Sequence, residues 1–156
     1  MTDDELITIP GNWNFNYNYF AGEAASRFFA GLRRGEILST LCPQCGRRLV
    51  PARSFCDACY VETTEWAPVG LVGKLEVFTI VQTQFPGLPA PPFTIGYVTL
   101  DGADTAVLNF VQGLDYSDLD AVGRKLFAGP RVRAVFSPSP QGRILDFHFE
   151  LAEPAA

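Results

Sequence analysis

The sequence predicts a mainly β protein with an N-terminal helix, a cysteine-bearing ribbon and then a five-stranded barrel. Three observations carry this expectation. An apolar stripe with helical spacing runs from about Phe20 to Leu32. All four cysteines fall in two close pairs between Cys42 and Cys59. The stretch 67–151 is rich in Val, Phe, Ile, Gly and Pro and reads as strands. The chain therefore divides into residues 1–40, 41–66 and 67–151.

The first region opens on an alternation. Asn12, Asn14, Asn16 and Asn18 interleave with Trp13, Phe15, Tyr17 and Tyr19. A period of two implies an extended segment with one aromatic face. That face either covers the ribbon or barrel, or meets a partner, where Trp and Tyr are favoured. From Phe20 the period lengthens: Phe20, Ala24, Phe28 and Leu32 lie four apart, with Ala25 and Phe29 beside them. This is an amphipathic helix, with Arg33 and Arg34 in its last turn and Gly35 placed to end it.

The second region holds Cys42-Pro-Gln-Cys45 and, ten residues on, Cys56-Asp-Ala-Cys59. Each pair sets two thiolates on one tight turn, and two such turns facing each other make a tetrahedral four-sulfur cage. That cage suits Zn²⁺, with iron or a redox pair of thiols as rivals. Four thiolates leave no open position, so the site is structural. Gly46 follows the first pair and Tyr60 the second, which makes the two turns inequivalent in sequence.

In the third region, Leu71–Gln84 and Phe93–Leu100 read as strands, and Asp101-Gly102 turns the chain into a third, Thr105–Val111. Residues 117–127 read as a short helix capped by Ser or Asp. Arg131–Ser137 and Arg143–Leu151 complete the set. In the last strand Leu145, Phe147, Phe149 and Leu151 alternate with Asp146, His148 and Glu150. Five strands with a helix between the third and fourth is the layout of an OB-fold. Gln84–Pro92 is a stiff Pro-rich connection that either serves only as a rigid loop or borders a ligand face.

Composition narrows the function. The chain has 156 residues, 47% of them hydrophobic, and a formal net charge of −5. These values exclude a disordered chain and argue against a general nucleic-acid binder. No stretch is long enough to cross a membrane, and the acidic start Met1–Glu5 is unlike a signal peptide, so a cytoplasmic protein is expected. The single histidine, His148, falls on a polar strand face. No phosphate loop, nucleophile elbow or two-histidine metal pattern is present. Asp115, Asp118 and Asp120 read as helix capping. No catalytic set emerges, which favours a binding or accessory role.

Between Arg27 and Arg53 there are six Arg against one acidic residue, Glu36. This local excess of positive charge is either a solvated face or a site for phosphates, such as those of coenzyme A.

Read in order, the motifs form a recognisable series. The helix leads to Leu41-Cys-Pro-Gln-Cys-Gly46, Pro51-Ala-Arg53 and the second cysteine pair. Glu65-Trp66, Gly70, Gly73, Thr79-Ile-Val81 and Ala128-Gly-Pro-Arg-Val-Arg-Ala-Val-Phe136 follow. Over residues 20–150 this resembles the zinc-ribbon/OB-fold proteins of the DUF35 type, also described as acyl-CoA-associated OB-fold proteins. The resemblance implies a rubredoxin-like ribbon with structural zinc on Cys42, Cys45, Cys56 and Cys59. It further implies a non-catalytic subunit that pairs with a thiolase-fold enzyme acting on acyl-CoA, by thiolysis, condensation or aldol cleavage, as in steroid or aromatic-compound degradation. The partner would supply the catalytic residues, and this chain would stabilise it or shape the acyl-CoA entrance. The Asn/aromatic alternation and the Pro-rich loop match no part of that pattern.

Local charge alone nominates Arg33, Arg34, Arg47, Arg48 and Arg53 as contacts for coenzyme A phosphates. Trp13, Phe15, Tyr17, Tyr19 and Phe20 are the expected partner face. The competing expectation is a single-strand nucleic-acid binder, since OB-folds and zinc ribbons both serve that role. The excess of acidic over basic residues beyond residue 66 speaks against it. A thiol oxidoreductase is a third reading, and a filled cysteine cage would exclude it.

Overall fold

A computed structural model describes residues 7–152. The acidic start, residues 1–5, lies outside them. Helix α1 spans Gly22–Arg33, starting two residues later than its apolar stripe. Phe20 stands fully exposed ahead of the helix and belongs to the extended aromatic segment instead. Phe28, Gly31 and Leu32 form the buried face. The helix closes as expected: Gly35 adopts φ 74°, its amide donates to Leu32 and the Glu36 amide donates to Gly31. This doubly bonded end satisfies carbonyls that would otherwise be left open.

Three short strands follow, β1 (Leu38–Leu41), β2 (Arg48–Leu49) and β3 (Trp66–Pro68). They form an antiparallel sheet in the order β2-β1-β3. Gly31 lets α1 approach this sheet closely, because a Cβ there would lie 2.6 Å from the Leu38 Cγ.

The barrel strands are β4 (Val72–Val81), β5 (Phe93–Leu100), β6 (Val107–Gln112), β7 (Arg131–Phe136) and β8 (Phe147–Leu151). They close in the order β4-β5-β6-β8-β7. All neighbours are antiparallel except β6 and β8. This is OB-fold connectivity, in which strand one pairs with both strand two and strand four. A register shift between Leu75 and Val77 lets the long β4 bend and serve both neighbours. Helix α2 (Leu119–Phe127) lies between the third and fourth barrel strands. It is capped by the Asp118 carboxylate, which accepts from the Ala121 amide at 2.9 Å. Val122 and Leu126 are its buried side.

The last strand is shorter than its alternation implies. Residues 144–146 form a 3-10 turn, and pairing starts at Phe147. The turn reverses two residues. Leu145 points outward at 66% exposure, while Asp146 is buried. The Asp146 carboxylate accepts the amides of Gln141, Gly142 and Arg143 at 2.6–2.8 Å. A buried carboxylate is tolerated only with such partners.

One apolar cluster runs from Phe28 and Leu32 of α1, through Ile37, Leu38 and Val50, to Val98, Val132 and Phe149 inside the barrel. A second, small cluster surrounds the cysteines and includes Leu49 and Val61. Four hydrogen bonds join ribbon to barrel. Arg48 and Asp104 exchange two, and the Thr105 hydroxyl both accepts from the Val50 amide and donates to its carbonyl. Among the described residues, no helix is long and apolar enough to cross a membrane.

Candidate functional site

The two cysteine turns are closer to equivalent than their sequences suggest. In the first, the Gly46 amide donates to the Cys42 carbonyl and the Cys42 amide to the Arg47 carbonyl. In the second, Tyr60 donates to Cys56 and Cys56 to Val61. Gly46 has φ 73° and Tyr60 φ 57°. Both turns thus need a left-handed residue directly after the second cysteine, where glycine fits freely and tyrosine is strained.

The turns bring all four Sγ atoms within 4.8 Å of one another. Cys45 Sγ and Cys56 Sγ lie 3.8 Å apart. Zn–S bonds of about 2.3 Å in a tetrahedron give an S–S edge of nearly that length. The Cys45 amide donates to the Cys42 sulfur at 3.5 Å. That bond leads the causes holding the Cys42 thiol down to about 6, against the opposing effect of burial. Cys59 is pushed up to about 12, first by its hydrogen bond to the Cys45 thiol and then by burial. Four adjacent thiols cannot all ionise without a cation among them, and a divalent metal supplies that charge. The donor set fits zinc, held by Cys42, Cys45, Cys56 and Cys59. The ion would act by cross-linking the two turns, with no position left for a substrate.

Each nominated arginine has a partner in this chain. Arg47 bonds the Asp57 carboxylate at 2.9 Å and Arg53 reaches it at 3.6 Å, so Asp57 clamps the two cysteine turns together. The Asp57 charge is the main reason the Arg47 guanidinium is held above its ordinary range. Arg34 pairs with Glu36 at 2.7 Å, and Arg48 reaches Ser39 at 3.3 Å and Glu65 at 3.9 Å. Arg33 donates to the Gln141 carbonyl at 3.2 Å. Arg27 stacks on the Trp66 ring at 4.4 Å. The Arg53–Asp57 spacing of four residues was visible in the sequence, but nothing there placed Arg47 against Asp57.

The aromatic segment covers neither the ribbon nor the barrel. Trp13, Phe15, Tyr17, Tyr19 and Phe20 are 65–104% exposed. The first four rings stand in a row with centroids 5.6–6.3 Å apart. Residues 7–22 contain no charged side chain. The barrel adds a smaller apolar strip on its outer face, where Val77, Tyr97 and Leu108 lie side by side on β4, β5 and β6. His148 is half-buried beside Glu150 at 2.9 Å. In the Pro-rich connection Phe85 and Leu88 remain half-exposed. Among the described residues, the four cysteines are the one group of three or more potential metal ligands.

A closed four-thiolate ribbon leading into a five-stranded OB barrel defines a zinc-ribbon/OB-fold protein. In fold the chain is similar to DUF35-family proteins of that class. Residues 29–65 match the family model described as the ChsH2 rubredoxin-like zinc ribbon domain. One similar solved structure is a DUF35-family protein of unknown function from Sulfolobus solfataricus. It has a TM-score of 0.60 and 22% identity, over 84% of this chain and 87% of that one. Another is described as an Ltp2–ChsH2 (DUF35) aldolase, with a TM-score of 0.63 and 12% identity over 86% of this chain and 98% of that one. No curated protein matches the chain in sequence.

Proposed function

We propose that this chain is a non-catalytic subunit of a thiolase-fold enzyme that cleaves or joins carbon–carbon bonds in acyl-CoA substrates. The exposed aromatic segment carries the reading. A run of five uncovered aromatic side chains without a charge among residues 7–22 is a surface that a stable complex would bury. The fold likeness to an Ltp2–ChsH2 (DUF35) aldolase supports the kind of partner.

In this reading the ribbon and barrel position the segment, and the enzyme brings the reacting groups. Zinc holds the ribbon in shape. Arg33, Arg34, Arg47, Arg48 and Arg53 are the proposed contacts for coenzyme A phosphates. Arg33 is the strongest of them, because its single bond to the Gln141 carbonyl leaves most of its donors for a phosphate. The complex works in the cytoplasm.

Co-expression with candidate thiolase-fold enzymes tests the proposal. The chain alone should self-associate or precipitate. With its enzyme it should be soluble in a fixed ratio, and acyl-CoA turnover should depend on both. A chain that stays monomeric and leaves turnover unchanged would overturn it.

A further inference from the structure

We propose that residues 12–20 dock as an added β-strand on a sheet edge of the enzyme subunit, aromatic rings against the enzyme and asparagines outward. This deepens the accessory-subunit reading and rests on it. Four observations carry the proposal. Residues 7–20 belong to no helix, strand or turn and, among the described residues, their backbone amides and carbonyls form no hydrogen bonds to the rest of the backbone. Pro10-Gly11 separates the alternating stretch from what precedes it, and α1 fixes its other end. The rings at 13, 15, 17 and 19 share one side, at the spacing of alternate residues in a strand. The asparagines at 12, 14, 16 and 18 form the other side.

A strand with one apolar and one polar face is built to be half-buried. Its open backbone row is satisfied by a neighbouring strand, as in other peptides that extend a sheet. The barrel of this chain is closed and offers no edge of its own. The missing charge decides the occupant. A nucleic acid needs cations against its phosphates, and residues 7–22 have none. An anionic membrane surface needs them too, and a bilayer would leave the extended backbone unbonded. A protein edge beside an apolar groove needs neither.

The test is hydrogen exchange on the full chain, alone and in the complex purified with its thiolase-fold enzyme, read amide by amide. In the free chain the amides of 12–20 should exchange as in an unstructured peptide. In the complex every second amide should slow by about tenfold or more while those between stay fast, since only one side of a strand faces its neighbour. A triple variant, Trp13→Ser with Phe15→Ser and Tyr17→Ser, should keep its zinc and lose the enzyme. Uniform protection, or none, in an intact complex would overturn strand addition and leave the accessory role standing. Protection by phosphatidylglycerol vesicles but not by the enzyme would also overturn it. If no thiolase-fold enzyme joins the zinc-loaded chain, the accessory reading falls, and this inference with it.

Discussion

Asp146 holds three consecutive amides on one carboxylate, and Gly142, in the same loop, sits against the Phe29 carbonyl of α1. The amides hold the Asp146 carboxyl below its ordinary range, the Arg143 amide first, against the opposing effect of burial. A carboxylate lowered in the folded state stabilises fully above its unfolded value and loses that effect as pH falls through the folded one. Acid should therefore loosen the 141–146 loop, and Asp146→Asn should remove this part of the acid dependence, as pH-dependent thermal melts would show. Tyr60 is a second point of local tension. Tyr60→Gly should retain zinc and stabilise the protein by up to about 1 kcal/mol, since glycine takes a left-handed φ without cost to its side chain. Denaturant titration with a zinc assay would measure both. At the ribbon–barrel junction, Thr105→Val leaves the buried Val50 amide and carbonyl without their partner. Each orphaned group costs about 1–3 kcal/mol, so the loss should be clear in the same titration.

At the scale of elements, the ribbon and the barrel depend on different forces. The cysteines and their apolar neighbours form a cluster apart from the main core. Cys45→Ser should abolish zinc binding and unfold the ribbon turns while β4–β8 keep their melting transition, which circular dichroism and a metal assay would separate. Helix α1 belongs to the barrel's core instead. Leu32→Ala, at a fully buried position, should cost about 2–5 kcal/mol and be felt across the whole fold. Much of this arrangement was legible in the sequence. Paired cysteines announce their turns, Gly35 announces a helix end, and runs rich in Val, Phe and Ile between turn residues announce β5, β6 and β7. The misread elements have physical causes. Alternation alone cannot show that a 3-10 turn shifts Leu145 outward and Asp146 inward. Helical spacing reached back to Phe20, but the chain enters the helix through Gly22, whose φ of 79° marks the change from extended backbone. The arginine excess was plain, yet its neutralisation by Asp57, Glu36 and Glu65 depends on distances that only folding sets.

For the whole molecule, the described surface is divided between a closed metal centre and an open aromatic arm. The first explains how a ribbon with little core of its own persists, since structural zinc contributes about 10–16 kcal/mol in comparable small motifs. The second explains why a folded chain should still seek a partner. Native mass spectrometry of the tagged chain purified from its own cells tests the accessory-subunit account most directly, because one spectrum reports both companions and metal. The account predicts an assembly with a thiolase-fold enzyme in a fixed ratio and one zinc per copy of this chain. A zinc-loaded chain that emerges alone, or bound to oligonucleotide, would contradict it.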